Sequence, residues 1–140
     1  MKWLEIAKKE IGVKESDGGI DNPRIIEYHQ KTGLKAQDQD VAWCSSFVNW
    51  CIDKCGGMKG TNSAAARSWL SWGKALPSYR KGAIVVLKRG NSKWQGHVGF
   101  AVDKKFGFVK VLGGNQSNAV NEKWYPSYKV LGYRWPLQEV

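Results

Sequence analysis

The run Val41-Ala42-Trp43-Cys44-Ser45-Ser46-Phe47-Val48-Asn49-Trp50 sets a cysteine in the first turn of an expected helix. Two glycine-flanked polar segments follow it, Gly96-His97-Val98-Gly99 and Gly113-Gly114-Asn115-Gln116. Cysteine, then histidine, then a side-chain amide is the set of parts a thiol hydrolase needs. A neutral thiol is a weak nucleophile, so it requires an imidazole to take its proton and a third polar group to orient the ring. Unpaired N–H groups at a helix start favour thiolate over thiol and can hold a developing oxyanion. Each residue also has a plainer reading. Cys44 shares a stripe with Val48 and Cys51 and would suit a core, His97 between glycines would suit a structural role, and Asn115 after two glycines would suit a turn. Their combination in one chain favours the chemical reading. His29, beside Tyr28, is expected to pack.

The elements that must position these residues come as helices first and strands later. Trp3, Leu4, Ala7 and Ile11 recur at helical spacing over Trp3 to Ile11, closed by Gly12. A second helix is expected over Arg24 to Lys31, with Asn22 as N-cap and Pro23 at the first helical position. The third, from about Val41 to Lys54 with Asp40 as its cap, carries Cys44. A short helical segment over residues 64–70 follows. After Pro77, Ala83 to Leu87 reads as a central strand. His97 to Val102 alternates, with Val98, Phe100 and Val102 on one side and His97, Gly99 and Ala101 on the other. Phe108 to Leu112 pairs back on it, and a last strand spans about Val130 to Arg134. A hairpin turn centred near residue 106 puts Asn115 opposite His97, unless the register slips. Gly96, Gly99, Gly113 and Gly114 are expected to leave room for a substrate chain.

Composition limits what the site is attached to. The 140 residues form one expected domain, long enough to bury a core without disulfides or metals, and its eight tryptophans and 42% hydrophobic residues agree with a compact globule. No apolar run approaches a membrane span. The charged N-terminus reads as a structural helix and not as an export signal. Cys44, Cys51 and Cys55 fall on one side of a helix, out of disulfide reach of one another, so all three read as reduced. Zinc-site spacing is lacking, and no metal or cofactor is expected. The net charge of +10, from 22 Lys plus Arg against 12 Asp plus Glu, attracts polyanions in general. The basic residues are dispersed and no nucleic-acid motif accompanies them.

The segments Ala42 to Trp50, Gly96-His97-Val98-Gly99-Phe100 and Val111 to Asn118 resemble the NlpC/P60 and CHAP superfamily of papain-like peptidoglycan hydrolases, in its small single-domain, phage endolysin-type branch. Asp21 to Ile25 and Ser63 to Trp69 extend the resemblance over nearly the whole chain. It implies an α+β fold in which N-terminal helices, including the cysteine helix, pack on a small antiparallel sheet. It also implies cleavage of an amide bond in the peptide part of the cell wall. Carried over, Cys44 is the nucleophile, His97 the base and then acid, and Asn115 the orienting group. Some CHAP enzymes have an acidic third residue and many NlpC/P60 enzymes a second histidine. Here an amide stands there, and the choice between Asn115 and Gln116 stays open.

Trp43, Trp94 and Gln116, with Trp124, are the expected substrate-lining residues. A calcium loop like that of some CHAP enzymes is hinted at only by Asp17 and Asp21, without a loop's ligand spacing. The expected partner is peptidoglycan, met by a monomer that waits in the cytoplasm until it is released to the wall. An antibacterial effector or wall-remodelling enzyme of the same chemistry is the alternative, and a non-enzymatic basic binding protein a third. Muramoyl-alanine amidase and stem-peptide endopeptidase activities need the same catalytic group.

Overall fold

Trp3, Leu4 and Ala7 form the buried stripe of the first helix, α1 (Lys2–Lys9). The computed structural model describes residues 1–16, 22–33 and 42–138. In α2 (Pro23–His29), the Asn22 side chain accepts from the Arg24 N–H at 2.9 Å, and Pro23 needs no N–H partner at the first helical position. Tyr28 anchors α2 on α1 by donating to Glu10 at 2.7 Å, while Arg24 reaches the same carboxylate at 3.2 Å. α3 (Cys44–Lys54) starts later than the sequence pattern suggests, with Trp43 as an N-cap whose side chain makes no cap bond. Asp40 and Val41 lie outside the described residues.

Six strands follow in one antiparallel sheet: β1 (Lys74–Leu76), β2 (Ile84–Lys88), β3 (Gly96–Lys105), β4 (Phe108–Gln116), β5 (Ala119–Pro126) and β6 (Val130–Trp135). Their order is β1-β6-β2-β3-β4-β5. The 64–70 segment is a 3-10 turn over Ala66–Ser71. Both sheet faces are covered. Ile84, Val86, Val98, Phe100 and Leu112 join the core beneath the helices, and Val85, Leu87, Ala101, Val109 and Val111 form a second cluster under Tyr79, Tyr125 and Tyr133. The alternation expected of His97 to Val102 is therefore the observed one, in an α+β architecture. Among the described residues no helix is long and apolar enough to cross a membrane.

Two strands go beyond the sequence expectation. β1 has only three residues, and β5 reads Ala-Val-Asn-Glu-Lys-Trp-Tyr-Pro, polar in its middle because it forms the sheet's edge. β5 joins β4 through Ser117 and Asn118, both with positive φ (54° and 62°), the backbone of a two-residue hairpin turn whose twist suits the strands.

Candidate active site

Cys44 is the first residue of α3, and His97 the second of β3. The two side chains lie close enough for each to shift the other's titration, and the Val98 N–H acts on the thiol in the same direction as His97. Burial pushes the Cys44 thiol up. His97's hydrogen bond and charge, the Val98 N–H and the Arg89 guanidinium outweigh it, so the thiol titrates below its ordinary value. Burial pushes His97 down, but its hydrogen bond and charge interaction with Cys44, and then Gln116, more than compensate; Arg89 opposes, and the net shift is upward. Opposite shifts in neighbouring groups favour the ionised form of each, a thiolate beside an imidazolium. Cys44 keeps 6% of its surface exposed and His97 7%, so the pair is largely sheltered from solvent.

The third position is held by Gln116, the last residue of β4. Its Oε1 lies 2.9 Å from His97 Nε2. The amide cannot turn over without loss. Its Nε2 donates to Val111 O at 3.2 Å, Asn121 O at 2.8 Å and Asn121 Oδ1 at 3.0 Å. Oε1 therefore faces two donors, the His97 ring and the Tyr125 hydroxyl at 3.1 Å. Tyr125 also lays its ring against the imidazole, centroids 5.4 Å apart.

Asn115 does not take the orienting place expected of it. Phe100 pairs with Leu112 and Ala101 with Val111, which is the register that would put residue 115 opposite 97. A bulge between Gly113 and Gln116 in the β4–β5 ladder then inserts one residue, and Asn115 sits there at φ 58°. One extra residue exchanges the faces of the strand, which brings Gln116 to the ring. Asn115's type answers to its backbone, since asparagine tolerates the left-handed region.

The substrate-lining set also changes. Trp43 is wholly buried, stacked on Tyr28 at 5.9 Å with its indole N–H on Glu15, so it is a core residue. Gln116 is buried on His97. Trp94 stands 78% exposed in the loop before β3, and that loop is held by Arg67 through Gln95 O and Ser92 O. Trp124 is half-buried on β5, with the Lys105 and Lys110 ammonium groups over its ring. The glycines open no path for substrate: a Cβ at Gly114 would lie 2.7 Å from Trp43 and 2.8 Å from Phe47, and one at Gly113 3.3 Å from His97 Nε2. The protein itself fills that space.

A polar cleft of about 290 Å³ adjoins the pair, lined by His97, Asn115, Gln116 and Tyr125 among others. A larger, more apolar cleft of about 560 Å³ runs between Met58, Trp72 and Leu137 and contains no cysteine, histidine or acid. The smaller one holds His97 and Gln116.

Cys51 and Cys55 are free and buried, and burial pushes both thiols up. His29, fully buried, bonds Ser46 at 2.8 Å. Among the described residues no group of three or more histidines, cysteines or acids could hold a metal ion. Asp17 and Asp21, the hinted calcium ligands, lie outside the described residues.

Residues 36–115 match the CHAP domain. The chain belongs to the CHAP family. This span holds Cys44 and His97 and ends one residue short of Gln116. The fold is also similar to the crystal structure of the wild-type endolysin LysIME-EF1, with a TM-score of 0.55 and 15% sequence identity. That match covers 84% of this chain and 64% of that one. The CHAP chain thus spans less than two-thirds of that endolysin's length, and the likeness establishes the papain-like fold alone. Among curated proteins none matches the chain.

Proposed function

We propose that this CHAP protein is a peptidoglycan hydrolase that cuts an amide bond of the wall peptide by cysteine catalysis. The observation that carries the reading is the pairing of Cys44 at the start of α3 with His97 at the start of β3, each shifting the other's titration in the opposite sense, in a family whose resemblance implies this substrate. The Cys44 thiolate attacks the carbonyl carbon, and the oxyanion is met by the Cys44 N–H at the uncapped start of α3. Imidazolium His97 gives its proton to the departing amine, which leaves an acyl thioester on Cys44. His97, now neutral, takes a proton from water; the hydroxide attacks the thioester, and the thiolate leaves as the carboxylate product forms.

Gln116 keeps the ring's Nε2–H donating, so that Nδ1 always faces the sulfur. As an amide it orients the imidazolium and adds no negative charge to it. Release to the wall as a phage-type lytic enzyme is the biological setting we favour, because the likeness to an endolysin structure accompanies the family match.

Purified peptidoglycan digested with the protein should yield fragments carrying new amines and carboxyls, with no new reducing sugar ends. Mass spectrometry of those fragments separates muramoyl-alanine cleavage from cleavage within the stem peptide. New reducing ends without new amines would overturn the reading.

A further inference from the structure

The cleft beside His97 collects positive charge. Lys and Arg are 22 of the 140 residues but four of the eleven that line this cleft, Lys88, Arg89, Lys123 and Lys129, and none of the 12 carboxylates lines it. They arrive from three parts of the fold: the end of β2, strand β5 and the 3-10 turn Ser127–Lys129. Among the described residues the ion pairs engage Arg24, Lys31 and Lys110, and none of these four. Four cations around one concavity, without a carboxylate partner among the described residues, repel one another, an arrangement that an anion relieves. Arg89 also acts electrostatically on Cys44 and His97, so an anion held there would lie close to the reacting atoms.

We propose that this cleft is a subsite for a carboxylate of the peptide being cut, within a residue or two of the scissile amide. The inference rests on the amide-hydrolase reading above. A group held so near His97 must belong to the chain under attack, and the anionic groups of a peptide are carboxylates. The Arg89 guanidinium offers them a planar two-donor fork, and the lysines add point charges around it. Wall polymers offer a second anion source, phosphate, which lies off the peptide and away from the scissile bond.

The test uses the Cys44→Ala protein, which binds without turnover, and two synthetic wall peptides identical except that one side-chain carboxylate is a carboxamide. Titration calorimetry should find the carboxylate peptide bound about tenfold tighter, as expected for a charge-assisted contact. Arg89→Gln with Lys123→Gln should remove that preference while leaving the melting temperature unchanged. Equal affinity for the two peptides in the parent overturns the subsite. So does tighter binding of glycerol phosphate than of the carboxylate peptide, which assigns the cleft to phosphate. Wall digestion by the unmodified protein separates the two proposals. Hydrolysis without a carboxylate preference discards the subsite alone, and absence of hydrolysis discards the hydrolase and the subsite with it.

Discussion

Gln116 Oε1 accepts from His97 Nε2 at 2.9 Å while the same amide's nitrogen is committed to Val111 and Asn121. An amide pinned at its donor end dictates the ring's protonation at the other, and so fixes which imidazole nitrogen meets Cys44. The histidine's orientation thus depends on a backbone carbonyl of β4 and on one residue of β5.

Gln116→Ala should lower kcat on a soluble wall peptide by roughly tenfold to 150-fold with little change in KM. That range is the rate equivalent of losing a hydrogen bond to a charged group, about 1.5–3 kcal/mol. Gln116→Glu should recover only part of the rate, since one carboxylate oxygen accepts the same bond while the other meets the Val111 and Asn121 carbonyls that the amide nitrogen satisfies. Asn115→Gly, which suits φ 58°, should stay within about threefold of the parent rate. A large loss at Asn115 with none at Gln116 would return the orienting role to Asn115.

Tyr125→Phe removes one hydrogen bond to Gln116 and leaves the ring against His97. A neutral hydrogen bond is worth about 0.5–1.5 kcal/mol, so kcat should fall by roughly twofold to twelvefold. Steady-state kinetics with a denaturation midpoint on the same sample checks that folding is intact.

Much of this site was legible in the sequence. Cys44 and His97 sit in short glycine- and tryptophan-rich segments whose spacing already pointed to a helix start and a strand start. Gln116 was not separable from Asn115, because the decision lies in a β-bulge, and a bulge depends on pairing with a strand that the pattern did not reveal. β5 carries no strand pattern of its own, since an edge strand keeps polar residues where a central one would be apolar. The signal available was the Ser117-Asn118 pair, whose positive φ angles close a hairpin and imply a strand after it. Trp43 differs from its sequence expectation for another reason: type does not tell a core tryptophan from a surface one, and its burial is decided by Gly114 and Tyr28 across the fold.

Gly114→Ala should destabilise the protein by about 1–3 kcal/mol, because the added methyl overpacks against Trp43 and Phe47. Urea denaturation measures this. Unaltered stability with a raised KM would mean that the glycine serves substrate approach and not packing.

Cys44 titrates below the ordinary thiol value of 9.0 and His97 above the ordinary imidazole value of 6.5. Thiolate accumulates as pH rises through the lowered value, and imidazolium is lost as pH rises through the raised one, so the rate should be bell-shaped around the window between them. Iodoacetamide alkylation of Cys44 should show the acid limb directly. In His97→Ala that limb should move to higher pH, since burial then acts without the imidazolium to oppose it. An unmoved limb would mean that the two groups are not coupled.

Clearing of purified peptidoglycan by Cys44→Ala, beside the unmodified protein and with the fold verified by circular dichroism, tests the account most directly. The expected result is a rate reduced by at least about a thousandfold, since without the sulfur no acyl thioester forms. A variant that clears the wall at the parent's rate would contradict cysteine catalysis.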